Sequence, residues 1–354
     1  MPVHNDFSRQ STLPPHLYCK AVIPKVSRTF AISIRVLRGD FHKSVLCSYL
    51  LCRILDTLED SSFPHFSDQE AVFNSFTEIF SREDFSNRAI QSWLELFFAT
   101  ALVRQDEGDY YDLLRNTNLV IANFLTLPGN YRKVIKECII EMSTGMLSMV
   151  SKRQQSTTPF FLKTLADLEK YCYFVAGTVG VLTARLLREY SGRINHSLFN
   201  YLEEKSVSFG LGLQMTNILK DCWADYQRGL CYIPEAMISK HNLSAASFFE
   251  PENTKKAQKT IDDLITLAAS HLDNGLDLIL SLPRSQFRVK LSCLWPLFFA
   301  ITTLIETKRN RKLLLGEVVK ISRARVQKLM RKTTLLGWSN KGIGNYYESF
   351  RVLL

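Results

Sequence analysis

The chain has 354 residues, and 46% of them are apolar, enough to bury a sizeable core. Lys and Arg number 44 against 34 Asp and Glu, a formal net charge of +10, which suits anionic partners without defining one. With only 15 glycines and 11 prolines, chain breakers are scarce, and that excludes a turn-rich β architecture in favour of long helices.

The first twenty residues are polar and proline-interrupted, with no apolar h-region, so no secretory leader is expected there. Helical periodicity then dominates. Phe41–Asp60 reads FHKSVLCSYLLCRILDTLED, apolar on more than one stripe, which predicts a helix buried among others. Further helices are expected over Asn87–Gln105, Tyr110–Leu125, Tyr131–Arg153, Thr164–Arg188, Ile194–Tyr226, Asn253–Leu282, Arg284–Thr307 and Leu313–Thr334. Breaks fall at Pro64, Pro128–Gly129, Pro159, Gly192, Pro234 and Pro283. The most apolar run, Leu291–Ile305, is short for a bilayer span and contains Pro296, so it reads as a core helix. No strand run of useful length, internal repeat or domain boundary is visible. The expectation is one all-α domain over 1–354, its core about 18–335, built as a helical bundle with a central cavity.

Two segments carry chemistry. In LDTLED, Asp56 and Asp60 lie at i and i+4 and Glu59 at i+3, one face of one helix. Like charges at that spacing repel, and acids at a helix C-terminus oppose the macrodipole. Two penalties at one place point to a compensating cation, and carboxylate oxygens suit Mg²⁺ shared with phosphates. The blander account is an acidic helix end in water. Asp221 and Asp225 in NILKDCWADYQRG repeat the spacing 165 residues on, again after an apolar helix. Matched pairs on two helices are a stronger signal than either alone, and antiparallel helices would face them across one cavity. Between them, Ala176, Gly177 and Gly180 in YCYFVAGTVG offer a thin helix surface, either for close packing or for a bulky apolar ligand. Met142, Gly145 and Met146 read as core. Gly210 and Gly212 in GLGLQM mimic a dinucleotide fingerprint, but Met215 stands at the third glycine position and no strand precedes them.

Eight cysteines form no CxxC pair and have no histidine at zinc-ligand spacing, as in a reduced cytoplasmic protein with buried thiols. Lys308–Lys332 holds ten basic residues against Glu317 alone, a face for phosphate groups or an anionic membrane, or simply a solvated surface.

The segments SRTF (27–30), YLLCRILDTLED (49–60), YCYFVAGTVG (171–180), LQMTNILKDCWADYQRG (213–229) and VKISRARV (319–326) occur in the order found in the squalene/phytoene synthase family, and the sequence resembles the squalene branch most. The resemblance implies an all-α isoprenoid synthase fold. It also implies head-to-head condensation of two farnesyl diphosphates through presqualene diphosphate, then NADPH-dependent reduction to squalene. Carried over residue by residue, it assigns Asp56, Glu59, Asp60, Asp221 and Asp225 to Mg²⁺. Ser27, Arg28, Phe30, Tyr49, Arg53, Gln214, Asn217 and Lys220 would contact substrate. Tyr171 would serve proton removal or cation control, and Lys320 and Arg323 would contact NADPH. The family's second motif usually reads DxxED, whereas here Ala224 replaces the glutamate and Lys220 stands where arginine is common. Alternatives are a dehydrosqualene or phytoene type of synthase without reductant, and a non-catalytic relative acting in assembly, which would lose the aspartates kept here. A nucleic-acid partner has no recognition motif. The expected state is a cytoplasmic monomer with peripheral membrane contact.

Overall fold

Long apolar stretches with few breakers fold as expected into helix. The computed structural model describes residues 11–27, 29–102, 108–154, 159–192 and 194–354. The chain divides into two compact units, Met1–Gln154 with Arg185–Gly192, and Gln155–Ala184 with Arg193–Leu354.

In the first unit, α1 (Pro15–Val26), α2 (Thr29–Arg35), α4 (Phe66–Ser81), α6 (Gly108–Arg115), α7 (Thr117–Leu125) and α8 (Gly129–Gln154) all pack on α3 (Gly39–Asp60). Being surrounded, α3 is apolar on several sides: Leu50, Leu51, Ile54, Leu55 and Leu58 are fully buried. A second helix pair, α4 with α5 (Asn87–Thr100), is held by Phe76 against Trp93 at 4.9 Å, and the Trp93 indole N–H donates to the Val72 carbonyl. The end of α3 is closed by side chains. The Gln69 amide donates to the Leu58 carbonyl at 2.9 Å, and the Ser61 hydroxyl donates to the Thr57 carbonyl at 2.6 Å.

In the second unit, the 32-residue α11 (His196–Gln227) lies along α13 (Thr254–Ser281), with α14 (Phe287–Arg309), α15 (Arg323–Leu336) and α16 (Asn340–Arg351) completing the bundle. Before them come α9 (Leu165–Cys172), a single π-helical turn (Tyr173–Gly177) and α10 (Thr178–Tyr190), whose last turns belong to the first unit. The short α12 (Glu235–Ser239) follows a two-residue parallel pair, β1 (Phe160–Phe161) with β2 (Leu230–Cys231).

Several expected spans are corrected. Tyr110–Leu125 is two helices, broken at Asn116, whose buried side-chain amide donates to the Asp112 carbonyl and accepts from the Ser11 amide. Thr164–Arg188 contains the π turn. Leu313–Thr334 is not one helix: a 3₁₀ turn (Leu313–Leu315) stops at Gly316, left-handed at φ +97, and α15 starts only after Ser322, whose hydroxyl accepts from the Arg325 amide. Sequence periodicity missed α1, α2, α4, α12 and α16. The apolar run around Pro296 is a core helix as expected, with 83% of its most apolar window buried.

Small residues decide how closely these helices approach. A Cβ on Gly210 would sit 2.5 Å from the Ala176 carbonyl oxygen, and one on Gly212 would meet the His271 Cβ at 3.0 Å. Gly177 and Gly180 likewise abut α11, at Leu211 and at the Ser206 backbone. Close packing is therefore what these glycines provide, and the Met142, Gly145 and Met146 surface is core. Alanine in place of a helical glycine normally stabilises by about 1 kcal/mol. Gly210→Ala should do the opposite, because the obstacle is backbone. A thermal melt should show a lowered midpoint, and an unchanged or raised midpoint would contradict this packing.

Candidate active site

The last turns of α3 carry the first acidic group. Glu59 is turned into the core at 7% exposure, Asp60 is exposed, and Asp56 lies between, beside Arg53 at 3.2 Å. Arg53 also donates to the Tyr49 hydroxyl at 3.0 Å and sits over the Tyr49 and Tyr110 rings at 5.7 and 5.8 Å. Burial pulls the Arg53 pKa down, but Asp56 and the two tyrosines outweigh it, so the guanidinium stays charged. Its Nε is buried with no hydrogen-bond partner among the described residues. Burial also pushes the Asp56 carboxyl up, Arg53 opposes that, Asp60 adds to it, and the outcome is about 6. Phe30 packs on Tyr49 at 5.6 Å between ring centroids. The Ser27 hydroxyl accepts from the Phe30 amide and so starts α2. Arg28 lies outside the described residues. Tyr110, which no spacing linked to α3, joins this group only through the fold.

The second acidic group ends α11. Gln214 and Lys220 are half-buried there and Asn217 is exposed. Lys220 pairs with Asp221, and Arg228 donates to the buried Asp225 at 2.5 Å. Both aspartates thus already have cationic partners, unlike the Asp56–Asp60 pair. Ala224 is exposed, so a glutamate there would reach water rather than enter the core. Trp223 packs against Phe249 at 5.7 Å, and a Cβ on Gly316 would meet its indole nitrogen at 3.0 Å. This contact brings the segment leading to Lys320 against the end of α11. Lys320 is exposed in non-helical chain and Arg323 is the first residue of α15, so the two do not share a basic helix as their sequence context suggests. Tyr171 is buried and stacks on Tyr232 at 4.4 Å, a partner that sequence reasoning missed because no periodicity relates them. The π turn follows immediately, and such turns recur at functional sites.

Among the described residues no three His, Cys, Asp or Glu side chains converge as a ready metal cage. Mg²⁺ needs none, since one or two carboxylates with phosphate oxygens and water satisfy it. The residues fit that ion: hard oxygen donors at i and i+4, one of them held uncomfortably ionised by burial and by its neighbour.

The all-α bundle is the isoprenoid synthase fold, and the paired carboxylates end two of its long helices. The squalene/phytoene synthase model matches residues 23–325, and the chain belongs to this family. It is 27% identical to the squalene synthase of Schizosaccharomyces pombe over 82% of this chain and 59% of that protein. It is 29% identical to squalene synthase ERG9 of Saccharomyces cerevisiae over 87% and 65%. The chain thus spans less than two thirds of the length of these two relatives. Among solved structures, a ligand complex of TcSQS superposes with a TM-score of 0.79 at 22% identity, covering 96% of this chain and 92% of that one. A dehydrosqualene synthase with ligand gives 0.61 at 18%, covering 95% and 97%.

The Asp56 shift has a sign that can be checked. Its folded pKa of about 6 exceeds the ordinary 3.8. Its contribution to stability is therefore complete below pH 3.8 and lost as pH rises through 6. In EDTA at pH 8, Asp56→Asn should melt above the wild type, the Arg53 attraction being already included in the net shift. The gain should shrink as pH falls through 6 in parallel melts, and a lower midpoint for the variant at pH 8 would refute the assignment.

Proposed function

We propose that this chain condenses two farnesyl diphosphates head to head through presqualene diphosphate and reduces that product with NADPH to squalene. The observation that carries this reading is the charged end of α3, where an acidic pair lacking full neutralisation lies beside an arginine with an unused buried donor. Family membership supports it, as does the similarity to squalene synthases.

On this reading Asp56 and Asp60, with Glu59 near, would hold Mg²⁺ at the end of α3, and Asp221 and Asp225 would hold it at the end of α11; the ion would supply the charge neutralisation that turns a diphosphate into a leaving group. Arg53 donates its Nε–H to a phosphate oxygen, and its contacts with Tyr49 and Tyr110 keep the fork oriented. Phe30 and Tyr49 offer ring faces to an allylic cation and keep water from it. The Tyr171 hydroxyl, its ring held by Tyr232, relays the proton lost on ring closure, accepting it as it gives its own to the released diphosphate. Gln214, Asn217 and Lys220 contact substrate along α11. Lys320 and Arg323 bind the phosphates of NADPH through side-chain charge, there being no Rossmann fingerprint. Residues 1–354 act as one catalytic domain in the sense that activity needs both acidic groups.

Asp60→Asn and Asp225→Asn should each lower turnover of farnesyl diphosphate by about 100-fold or more, with helical circular dichroism retained. Undiminished wild-type turnover in excess EDTA would remove the metal reading. Lys320→Ala and Arg323→Ala should slow the second half-reaction more than the first, so that presqualene diphosphate accumulates and added NADPH partly restores squalene. A wild-type product spectrum indifferent to NADPH would leave the dehydrosqualene or phytoene type of reaction in its place.

A further inference from the structure

One end of the second unit joins charge and exposed apolar surface in a way the chemistry above does not use. There α13 finishes, α14 begins, α15 finishes and α16 begins. Contacts bring these ends together: Trp338 stacks on Phe287 at 3.8 Å, Lys290 donates to the Asn340 side chain at 2.5 Å, and Asn340 donates to the Leu280 carbonyl at 2.9 Å. A Cβ on Gly337 would meet the Thr333 carbonyl at 2.9 Å and the Phe287 ring at 3.0 Å, so a residue without a side chain is what lets the chain turn tightly enough to lay Trp338 on Phe287. Trp338 nevertheless remains 65% exposed, and Leu335, one turn earlier, is 79% exposed. No other large apolar side chain among those described is as exposed as Leu335.

The two segments that meet here, 278–292 and 328–347, contain seven lysines and arginines and no aspartate or glutamate. One of the seven, Lys290, is buried. The other six, Arg284, Arg288, Lys328, Arg331, Lys332 and Lys341, are exposed. Lys328, Arg331 and Lys332 stand seven, four and three residues before Leu335, on the same face of α15. The first acid back along α13, Asp277, faces Lys205 of α11 at 3.8 Å.

Packing on Phe287 accounts for one face of Trp338, but not for Leu335 and the rest of the indole standing in water beside exposed lysines and arginines. A bilayer surface satisfies all three features. An indole with one face covered and one edge wet partitions to the headgroup level, leucine adds buried apolar area, and lysine and arginine are drawn to anionic headgroups. We propose that this end of the second unit docks on a membrane surface, with Trp338 and Leu335 entering the interfacial layer of a bilayer rich in anionic lipid. This contact does not use the long apolar helix α14, which is committed to the core. This inference stands whether or not the proposed reaction is correct.

The test uses the full chain and sedimenting vesicles of phosphatidylcholine with and without phosphatidylglycerol. Wild type should sediment with the phosphatidylglycerol vesicles, release at high salt, and shift its tryptophan emission to the blue. The double variant Leu335→Ser with Trp338→Ser should partition at least about tenfold less with its helical circular dichroism retained, and Leu335→Ser alone, at an exposed position, should also weaken binding at an unchanged melting temperature. Arg331→Glu with Lys341→Glu should lose binding similarly. Arg309→Glu with Arg311→Glu, an equal charge change at the opposite end of α14, should retain it. Full binding by the serine variant, or equal loss in the Arg309/Arg311 variant, would overturn the proposal. So would a wild type that binds RNA but no vesicle, or one that only self-associates through Trp338.

Discussion

Backbone nearly touching backbone is the constraint on which the second unit rests. Where α11 carries Gly210 and Gly212, its neighbours come within a distance that even one methyl group would obstruct. Side chains around these contacts are then positioned by close packing rather than by reach. Ser208 meets the His271 ring at 2.8 Å and accepts from Asn274 at 3.0 Å, tying α11 to α13 beside the glycines. The Gly275 backbone lies against the Phe209 ring in the same stretch. Leucine at any of these glycines would push the helices apart by more than a hydrogen bond tolerates. The acidic end of α11 therefore sits on a helix held along its length, and Trp223 is fixed by Phe249 and by the left-handed turn at Gly316.

The two acidic groups share a spacing but not an electrostatic state. At the end of α11, each aspartate has a cation from its own helix end, Lys220 or Arg228. At the end of α3 Arg53 pairs with Asp56, yet burial and the neighbouring Asp60 charge still push that carboxyl up. The carbonyls at this helix end are satisfied by Gln69 and Ser61, so what remains is charge desolvation rather than missing hydrogen bonds. An ion that brings both charge and water would relieve the first site directly. At the second it would have to replace or share existing partners, which makes Ala224, exposed and without a carboxylate, a change in outer environment rather than in the core.

Much of this was legible in the sequence, for a definite reason. The all-α class followed from period and scarce breakers, and the acidic pairs from i, i+4 spacing, since both are local properties of a helix. The buried role of the Pro296 helix followed from its length. The helix α1 escaped because Pro15 and Pro24 read as breakers, although its buried Tyr18, Cys19, Val22, Ile23 and Val26 keep a helical period. The break at Asn116 escaped because a buried side-chain hydrogen bond, and not a glycine or proline, ends the helix.

Only tertiary structure decided which groups meet. Tyr110 reaches Arg53 and Tyr232 reaches Tyr171 across loops whose length carries no contact information. The glycines of YCYFVAGTVG and GLGLQM could serve a ligand or a neighbouring helix, and the nearness of α11 settled the matter for packing. The basic stretch 308–332 reads as one helix face, yet the turn at Gly316 divides it, leaving Lys308 and Arg309 at the end of α14 and carrying Lys328, Arg331 and Lys332 on α15 toward the Trp338 end. Sequence by itself determined the local alphabet of helix, charge and thiol, because those depend on neighbours within a turn. The pKa of Asp56, the unused donor of Arg53 and the exposed Trp338 depend on what lies across space, and burial by distant residues is the physical quantity that a linear pattern does not contain.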